Sequence, residues 1–313
     1  MSSRREVAGR AHAKVNLVLR VGPPRADGLH PVCSLFAALE LADEIAVGLG
    51  AASTDEVVCP GVEGDNLAAR AVAAFRTAAP DAPLPPLRIE IRKRIPVAAG
   101  LAGGSADAAA ALRAANELAG SPLTSDELRA VAAGLGSDVP SQVEPAHAIV
   151  AGIGERVERV DLPPMTLVLV PQDEGLSTAA VYGELDRLRA DADGSPSLAV
   201  GPPDGGPTDR LASDPLRRLA SSSLEQIAAG LANDLQPATL SLRPELAESI
   251  AALRDAGALA AQVSGSGPTT FGLFADRLAA ERAAATLDGQ RAAVAQAAGA
   301  PAPALTIVTG LLA

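Results

Sequence analysis

Apolar residues recur at every second position over residues 11–21, with Ala13, Val15, Leu17, Leu19 and Val21 on one face. That alternation predicts a strand with one side in a core, and the same period sets His12, Lys14 and Asn16 together on the other side. Residues 35–47 return to apolar character and predict a further strand ending near Asp43-Glu44. Over residues 65–79 the spacing changes to Leu67, Ala71, Val72 and Phe75, a helical stripe with Asp65 or Asn66 as its cap. Alternation resumes where Leu87, Ile89 and Ile91 are separated by Arg88 and Glu90. Then Gly100, Gly103 and Gly104 interrupt the pattern within Pro-Val-Ala-Ala-Gly-Leu-Ala-Gly-Gly-Ser-Ala, residues 96–106. A helix over residues 106–119 follows, with Ser105 expected as its cap and Gly120-Ser121-Pro122 as its stop.

Further on, residues 125–133 predict a helix capped by Thr124 or Ser125, and Gly134 to Pro140 forms a turn that holds Asp138. Short strands are expected over residues 146–151, 156–160 and 165–170, and a helix carrying Tyr182 over residues 177–188. Residues 190–213, rich in Gly, Pro, Ser and Asp, are expected to be a mobile insertion outside the core. Helices over residues 224–232 and 244–256 lead to a second glycine-and-serine turn, Ser264-Gly265-Ser266-Gly267, again suited to backbone contact with an anion and a candidate anion or substrate loop. The chain then predicts a helical region over residues 278–298, open to interruption at Asp288-Gly289, and a last strand over residues 304–311. Helices and strands alternate without a strict βαβ repeat, which favours an α+β layout. Pro163-Pro164 is the expected boundary between two domains, residues 1–163 and 164–313.

Composition narrows the function. The net charge of −11 argues against a nucleic-acid or anionic-membrane surface, since those need basic patches. No run approaches the ~18 apolar residues of a membrane span. The polar start, Met1-Ser2-Ser3-Arg4-Arg5, carries no apolar core of a signal peptide, so the expectation is a cytoplasmic protein. Cys33 and Cys59 form no disulfide framework and are expected to be buried small hydrophobes. His12, His30 and His147 form no close ligand pair, and no metal ligand is assigned. Lys14 and Lys93 are the only two lysines, the other cationic positions being arginine, which singles out both for a task that a compact ammonium performs.

A glycine loop that follows a strand and opens a helix points unpaired N–H groups and the positive helix end at one spot, a seat for phosphate. The same residues also suit a plain tight turn, and neither common phosphate fingerprint, Gly-x-x-x-x-Gly-Lys-Ser/Thr or Gly-x-Gly-x-x-Gly, is present. Lys14 and Asn16 suit a solvated strand face as well as a site, and Asp138 suits a backbone-bonding turn as well as catalysis.

Pro96 to Ala106 resembles the central motif of the GHMP small-molecule kinases: galactokinase, homoserine kinase, mevalonate kinase and phosphomevalonate kinase. Within that superfamily the chain is most similar to the 4-diphosphocytidyl-2-C-methyl-D-erythritol kinase family. Four pieces carry the likeness: Ala13-Lys14-Val15-Asn16-Leu17, Asp27-Gly28-Leu29-His30 with Ser34-Leu35-Phe36, Gly136-Ser137-Asp138-Val139-Pro140, and Ser264-Gly265-Ser266-Gly267-Pro268. The resemblance implies a two-domain α+β fold, the N-terminal domain like that of a small-subunit ribosomal protein, with the active site between the domains. It implies ATP and Mg2+, and phosphorylation of a cytidine-diphosphate-linked methylerythritol by a monomer or homodimer. It places ATP on Pro96, Val97, Ala98, Ala99, Gly100, Leu101, Ala102, Gly103, Gly104, Ser105 and Ala106, and catalysis on Lys14 and Asp138. Asn16, His30 and Tyr182 map to substrate positions, and Lys93 is expected at the surface. Where the family carries a tyrosine that stacks on cytosine, this chain has Leu29, so Tyr182 is expected to take the stacking. That departure leaves a sister kinase acting on homoserine, mevalonate or a sugar as the alternative, with a non-catalytic nucleotide-binding protein as a third reading.

Overall fold

The alternating stretch belongs to a 16-residue strand, β1 (Glu6–Val21), paired antiparallel with β2 (Val32–Leu49) in the computed structural model. The structure describes residues 6–191, 208–297 and 303–313. After β2 come β3 (Glu56–Val58), α1 (Leu67–Ala78), β4 (Leu87–Arg92) and α2 (Gly103–Leu118). Next are α3 (Ser125–Ala133), α4 (Val139–Gln142), β5 (Ala148–Gly152), β6 (Arg156–Arg159) and β7 (Thr166–Val170). The remainder runs α5 (Thr178–Asp191), α6 (Thr208–Ala220), α7 (Leu224–Ala229), β8 (Ala232–Asn233), α8 (Gln236–Leu242) and α9 (Leu246–Asp255), then β9 (Ala260–Val263), β10 (Thr270–Phe274), α10 (Arg277–Ala297) and β11 (Ile307–Gly310).

The first sheet has the order β3-β4-β2-β1-β8, and β5 joins β2 and carries β6. The 18-residue β2 is long enough to change neighbours: Val32–Phe36 pair with β5, whereas Glu44–Leu49 pair with β4. Between those stretches the C-terminal segment closes on β2, through Leu312 N–H to the Ala38 carbonyl and a bridge between Leu39 and Leu311. The second sheet, β11-β7-β10-β9, is antiparallel throughout. Leu17, Leu35 and Leu39 share one core with Leu167, Leu169 and Phe271, so the two sheets are joined by apolar packing. On the other side Ile89 and Val47 pack with Phe75 of α1 and Leu112 of α2. Alanines make that close approach possible, and 11 of the 16 residues of α2 are buried. A helix apolar on nearly every side belongs in an interior.

Several sequence expectations change here. The helix after the glycine loop begins at Gly103, not after Ser105, because Ala102 takes a left-handed conformation (φ 58°) and turns the chain into the helix early. No side chain caps that end. Lys93 is not a surface residue; its side chain is held between two buried carboxylates. Cys33 is buried, and burial pushes its thiol up to about 11, but Cys59 is only half-buried. The helix from residue 224 stops at Ala229, and β8 follows, parallel to β1. No break occurs at Asp288-Gly289, where α10 is continuous and Asp288 accepts hydrogen bonds from Thr306. Helices α5 and α6 occupy both ends of the expected insertion 190–213; residues 192–207 lie outside the described residues. By contrast Asn66 caps α1, and Thr124 with Glu127 forms a capping box on α3, both within the sequence expectation.

Candidate active site

From Ala13 to Leu19 neither face of β1 is solvated. Ala13, Val15 and Leu17 face the core, and Lys14 and Asn16 on the opposite side are also buried. A buried lysine requires partners. Its Nζ donates to Asn16 Oδ1 at 2.8 Å, lies 3.4 Å from Asp138 Oδ2 and stands 4.7 Å above the centre of the Phe36 ring. Asn16 passes the chain on, donating to Ser34 Oγ at 2.8 Å, which donates to the Val18 carbonyl. The ammonium is thus fixed by an amide, a carboxylate and a π face at once. Asp138 comes from the start of the short helix α4, makes no side-chain cap bond there and keeps 31% of its side chain exposed. Such a carboxylate can meet a ligand.

The glycine loop between β4 and α2 is pinned against this pair. Leu101 accepts the Lys14 N–H at 3.1 Å, which ties the loop to β1. Ala98 (φ 53°), Gly100 (φ 77°) and Ala102 (φ 58°) are all left-handed, a conformation alanine avoids and holds only under constraint. The constraint comes from the second glycine turn. Ser264 Oγ donates to the Gly100 carbonyl at 3.2 Å, and Thr269 N–H donates to the Ala99 carbonyl at 3.3 Å. A Cβ on Gly100 would lie 2.6 Å from the Ser264 carbonyl oxygen, so only glycine permits the approach. A Cβ on Gly265 would in turn lie 3.7 Å from Lys14 Nζ. Asn233 of β8 holds this second turn by donating to the Val263 and Gly265 carbonyls at 3.0 and 2.8 Å.

Lys14 and Asp138 stand within one cavity of about 1180 Å³. Toward α1 and α2 its wall is Cys59, Asn66, Lys93, the loop from Pro96 to Ser105 and Asp107. Toward α5 it is Leu29, His30, Leu176, Tyr182 and Asp186. There His30 Nδ1 lies 3.0 Å from the Gly22 carbonyl oxygen, His30 Nε2 lies 3.3 Å from Asp186 Oδ2, and the His30 and Tyr182 rings are 5.0 Å apart. Burial, and then the charge of Asp138, push the Tyr182 hydroxyl up to about 12, so it stays a neutral donor at physiological pH. Leu29 is 49% exposed at this end.

The cavity therefore gathers Lys14, Asn16, His30, Asp138, Tyr182, loop residues 96–105 and Gly265, Ser266 and Gly267. Ala106 and Ser264 do not line it: Ala106 packs in the helical core, and Ser264 fastens the two glycine turns behind the wall. Asn233, Asp186 and the Lys93 cluster escape sequence reasoning. For Lys93 a signal exists in the scarcity of lysine. For Asn233 and Asp186 none does, since their partners are remote in the chain. Among the described residues no group of three or more His, Cys, Asp and Glu could hold a metal ion.

The open end of α2 offers backbone donors beside a lysine–aspartate pair, an arrangement suited to moving a phosphoryl group onto a hydroxyl. Known proteins agree. The chain matches the GHMP kinases N terminal domain over residues 66–145 and the GHMP kinases C terminal domain over residues 215–292. It is 45% identical to a 4-diphosphocytidyl-2-C-methyl-D-erythritol kinase of Salinispora tropica, covering 89% of this chain and 86% of that one. To the protein of that name from Streptomyces avermitilis it is 41% identical, covering 96% and 99%. A crystal structure of 4-(cytidine 5'-diphospho)-2C-methyl-D-erythritol kinase superposes with a TM-score of 0.73 at 31% identity, covering 98% of this chain and 100% of that one. Homoserine kinase from Cytophaga hutchinsonii shares the fold, with a TM-score of 0.69 at 16% identity, covering 100% and 96%. This chain belongs to the GHMP kinases and, within them, to the 4-diphosphocytidyl-2-C-methyl-D-erythritol kinase family.

Proposed function

We propose that the protein transfers the γ-phosphoryl group of ATP to the 2-hydroxyl of 4-diphosphocytidyl-2-C-methyl-D-erythritol, a step of isoprenoid precursor synthesis by the non-mevalonate route. The observation that carries this reading is the Lys14–Asp138 pair at 3.4 Å, set between a glycine loop on one side and the His30–Tyr182 pair on the other. In it the loop takes the ATP phosphates on its backbone N–H groups, and Asp138 accepts the proton of the acceptor hydroxyl. Lys14, fixed by Asn16, stabilises the charge that develops on the transferred group. Tyr182 and His30 hold the cytosine, with Tyr182 doing the stacking and Leu29 adding apolar contact.

Mg2+ belongs to the same reading. It binds substrate phosphates and keeps several waters of its own, so it needs no dedicated protein cage, and no group of three or more His, Cys, Asp and Glu among the described residues could form one. When bound it supplies positive charge to the phosphates. We also read residues 1–163 and 164–313 as two domains, because the second sheet begins with β7 at Thr166. Among the described residues no helix is long and apolar enough to cross a membrane; a cytoplasmic enzyme with no nucleic-acid or membrane partner is our reading. The test is ADP release with ATP and Mg2+, offering the cytidyl substrate beside homoserine, mevalonate and galactose. Turnover confined to the cytidyl substrate is expected; turnover with another alcohol alone would overturn the assignment.

A further inference from the structure

Lys93 immediately follows β4, where the strand gives way to the glycine loop. Its Nζ donates to Asp43 Oδ2 at 2.5 Å and to Asp107 Oδ2 at 2.7 Å. Asp43 is fully buried on β2, and Asp107 is 3% exposed on the second turn of α2. The other Asp43 oxygen accepts the N–H groups of Arg94 at 2.5 Å and Ile95 at 2.8 Å. One carboxylate therefore fastens three consecutive residues at the start of the loop, and the ammonium carries that hold across to the helix at its end. Between the two anchors lie the left-handed Ala98, Gly100 and Ala102. Gly103 closes against the cluster, since a Cβ there would lie 3.0 Å from Ile95 Cγ2 and 3.3 Å from Lys93 Nζ.

The cluster is poorly explained as a device for stability. It buries two carboxylates against one ammonium, and Asp107 Oδ1 has no hydrogen-bond partner. Burying ions is costly unless every group is paired, and apolar side chains of similar volume do as well or better. We propose that Lys93, Asp43 and Asp107 form a positioning brace that ties the two ends of the glycine loop together and so sets the seat of the ATP phosphates. The inference rests on the reading that this loop binds ATP. It also accounts for a lysine in an arginine-rich chain: a compact ammonium fits between two carboxylates beside Gly103, and a planar guanidinium does not.

The brace responds to pH. Burial raises the Asp107 carboxyl to about 6, against the pull of Lys93, and Asp43 adds to the rise. The Lys93 ammonium is disfavoured by burial, but the two carboxylates outweigh it and hold its pKa up. Cys59 also faces the cluster, its thiol raised by burial; Arg94 pairs outward with Glu44. Above about pH 6 Asp107 is a carboxylate and the brace is complete; below it Asp107 takes a proton and resembles asparagine.

The experiment measures, on the full chain, the Kd of the β,γ-imido analogue of ATP with Mg2+ by calorimetry, kcat, and the melting temperature as a folding control. At pH 8, K93M and K93R should each raise Kd tenfold or more, and D107N threefold to tenfold, with kcat falling as well because a displaced loop also displaces the γ-phosphate. The D107N-to-parent ratio of Kd should fall to one as pH drops below 6, a change a merely structural asparagine would not produce. Parent-like affinity in a folded K93R, or a D107N ratio independent of pH, would overturn the brace. If K93M fails to fold, K93R and D107N still decide. Failure of the parent itself to bind the analogue would instead refute the ATP reading.

Discussion

Alanine at Gly100 and alanine at Gly104 should separate two tasks that the glycine loop performs. Gly100 has φ 77°, and a Cβ there would meet the carbonyl oxygens of Ser264 at 2.6 Å and Gly267 at 2.8 Å. A left-handed alanine costs about 1–2 kcal/mol, and forcing extra volume into a closed contact costs about 1–3 kcal/mol. Gly100→Ala should therefore destabilise the protein by about 2–5 kcal/mol. At Gly104, in the first turn of α2, a Cβ would meet nothing within 4 Å. Alanine there is a better helix former by about 1 kcal/mol, so Gly104→Ala should leave stability unchanged or slightly raised. Its methyl group enters the space beside the open helix end, where we place the phosphates, and ATP affinity should fall about tenfold, or about 1.4 kcal/mol. Urea unfolding monitored by circular dichroism gives the first quantity, and calorimetry with the imido analogue gives the second. A Gly100→Ala protein within about 0.5 kcal/mol of the parent would refute the contact between the two turns. Undiminished ATP affinity in Gly104→Ala would refute the seat.

Other outcomes follow from the two ends of the cavity. Tyr182→Leu removes the tyrosine ring at the end of the cavity where we place the cytosine and should raise KM for the cytidyl substrate by about 5- to 150-fold, the equivalent of ~1–3 kcal/mol of base stacking, with KM for ATP unchanged; Leu29→Tyr, at an exposed position, should lower it. Equal effects on both substrates would argue against stacking. Cys59 lines the loop end of the cavity and is half-buried, whereas the Cys33 thiol is buried and raised to about 11. A maleimide at pH 8.5 should modify Cys59 alone, and ATP should slow that reaction; labelling indifferent to ATP would place the nucleotide elsewhere.

How much of this was legible in the sequence depends on the range of the signal. β1 and β4 announce themselves by alternation, and α3 by its capping box, because those signals lie within a few residues. The Lys14–Asp138 contact has no such local cue, and only the co-occurrence of family motifs brings those residues to one place. Ser105 fails as a cap because the turn is made by a left-handed alanine, a residue type that carries no turn signal. Lys93 reads as surface because it matches no position of the family motifs, while Asp43, which helps bury it, is 50 residues away. Asn233 escapes because a two-residue strand is too short to leave a pattern. The site is thus visible where contacts are local or carried by motifs, and hidden where long-range pairing determines burial.

In the proposed reaction Asp138 and Lys14 promote transfer of a phosphoryl group from ATP to the cytidyl substrate. It is tested most directly by following the γ-labelled phosphate of ATP into 4-diphosphocytidyl-methylerythritol in a single turnover with the parent protein and with Asp138→Asn. Labelled product is expected with the parent, and transfer slower by ~10²-fold or more with Asp138→Asn, while ATP affinity stays within about threefold. Transfer by Asp138→Asn at the parent's rate would contradict it.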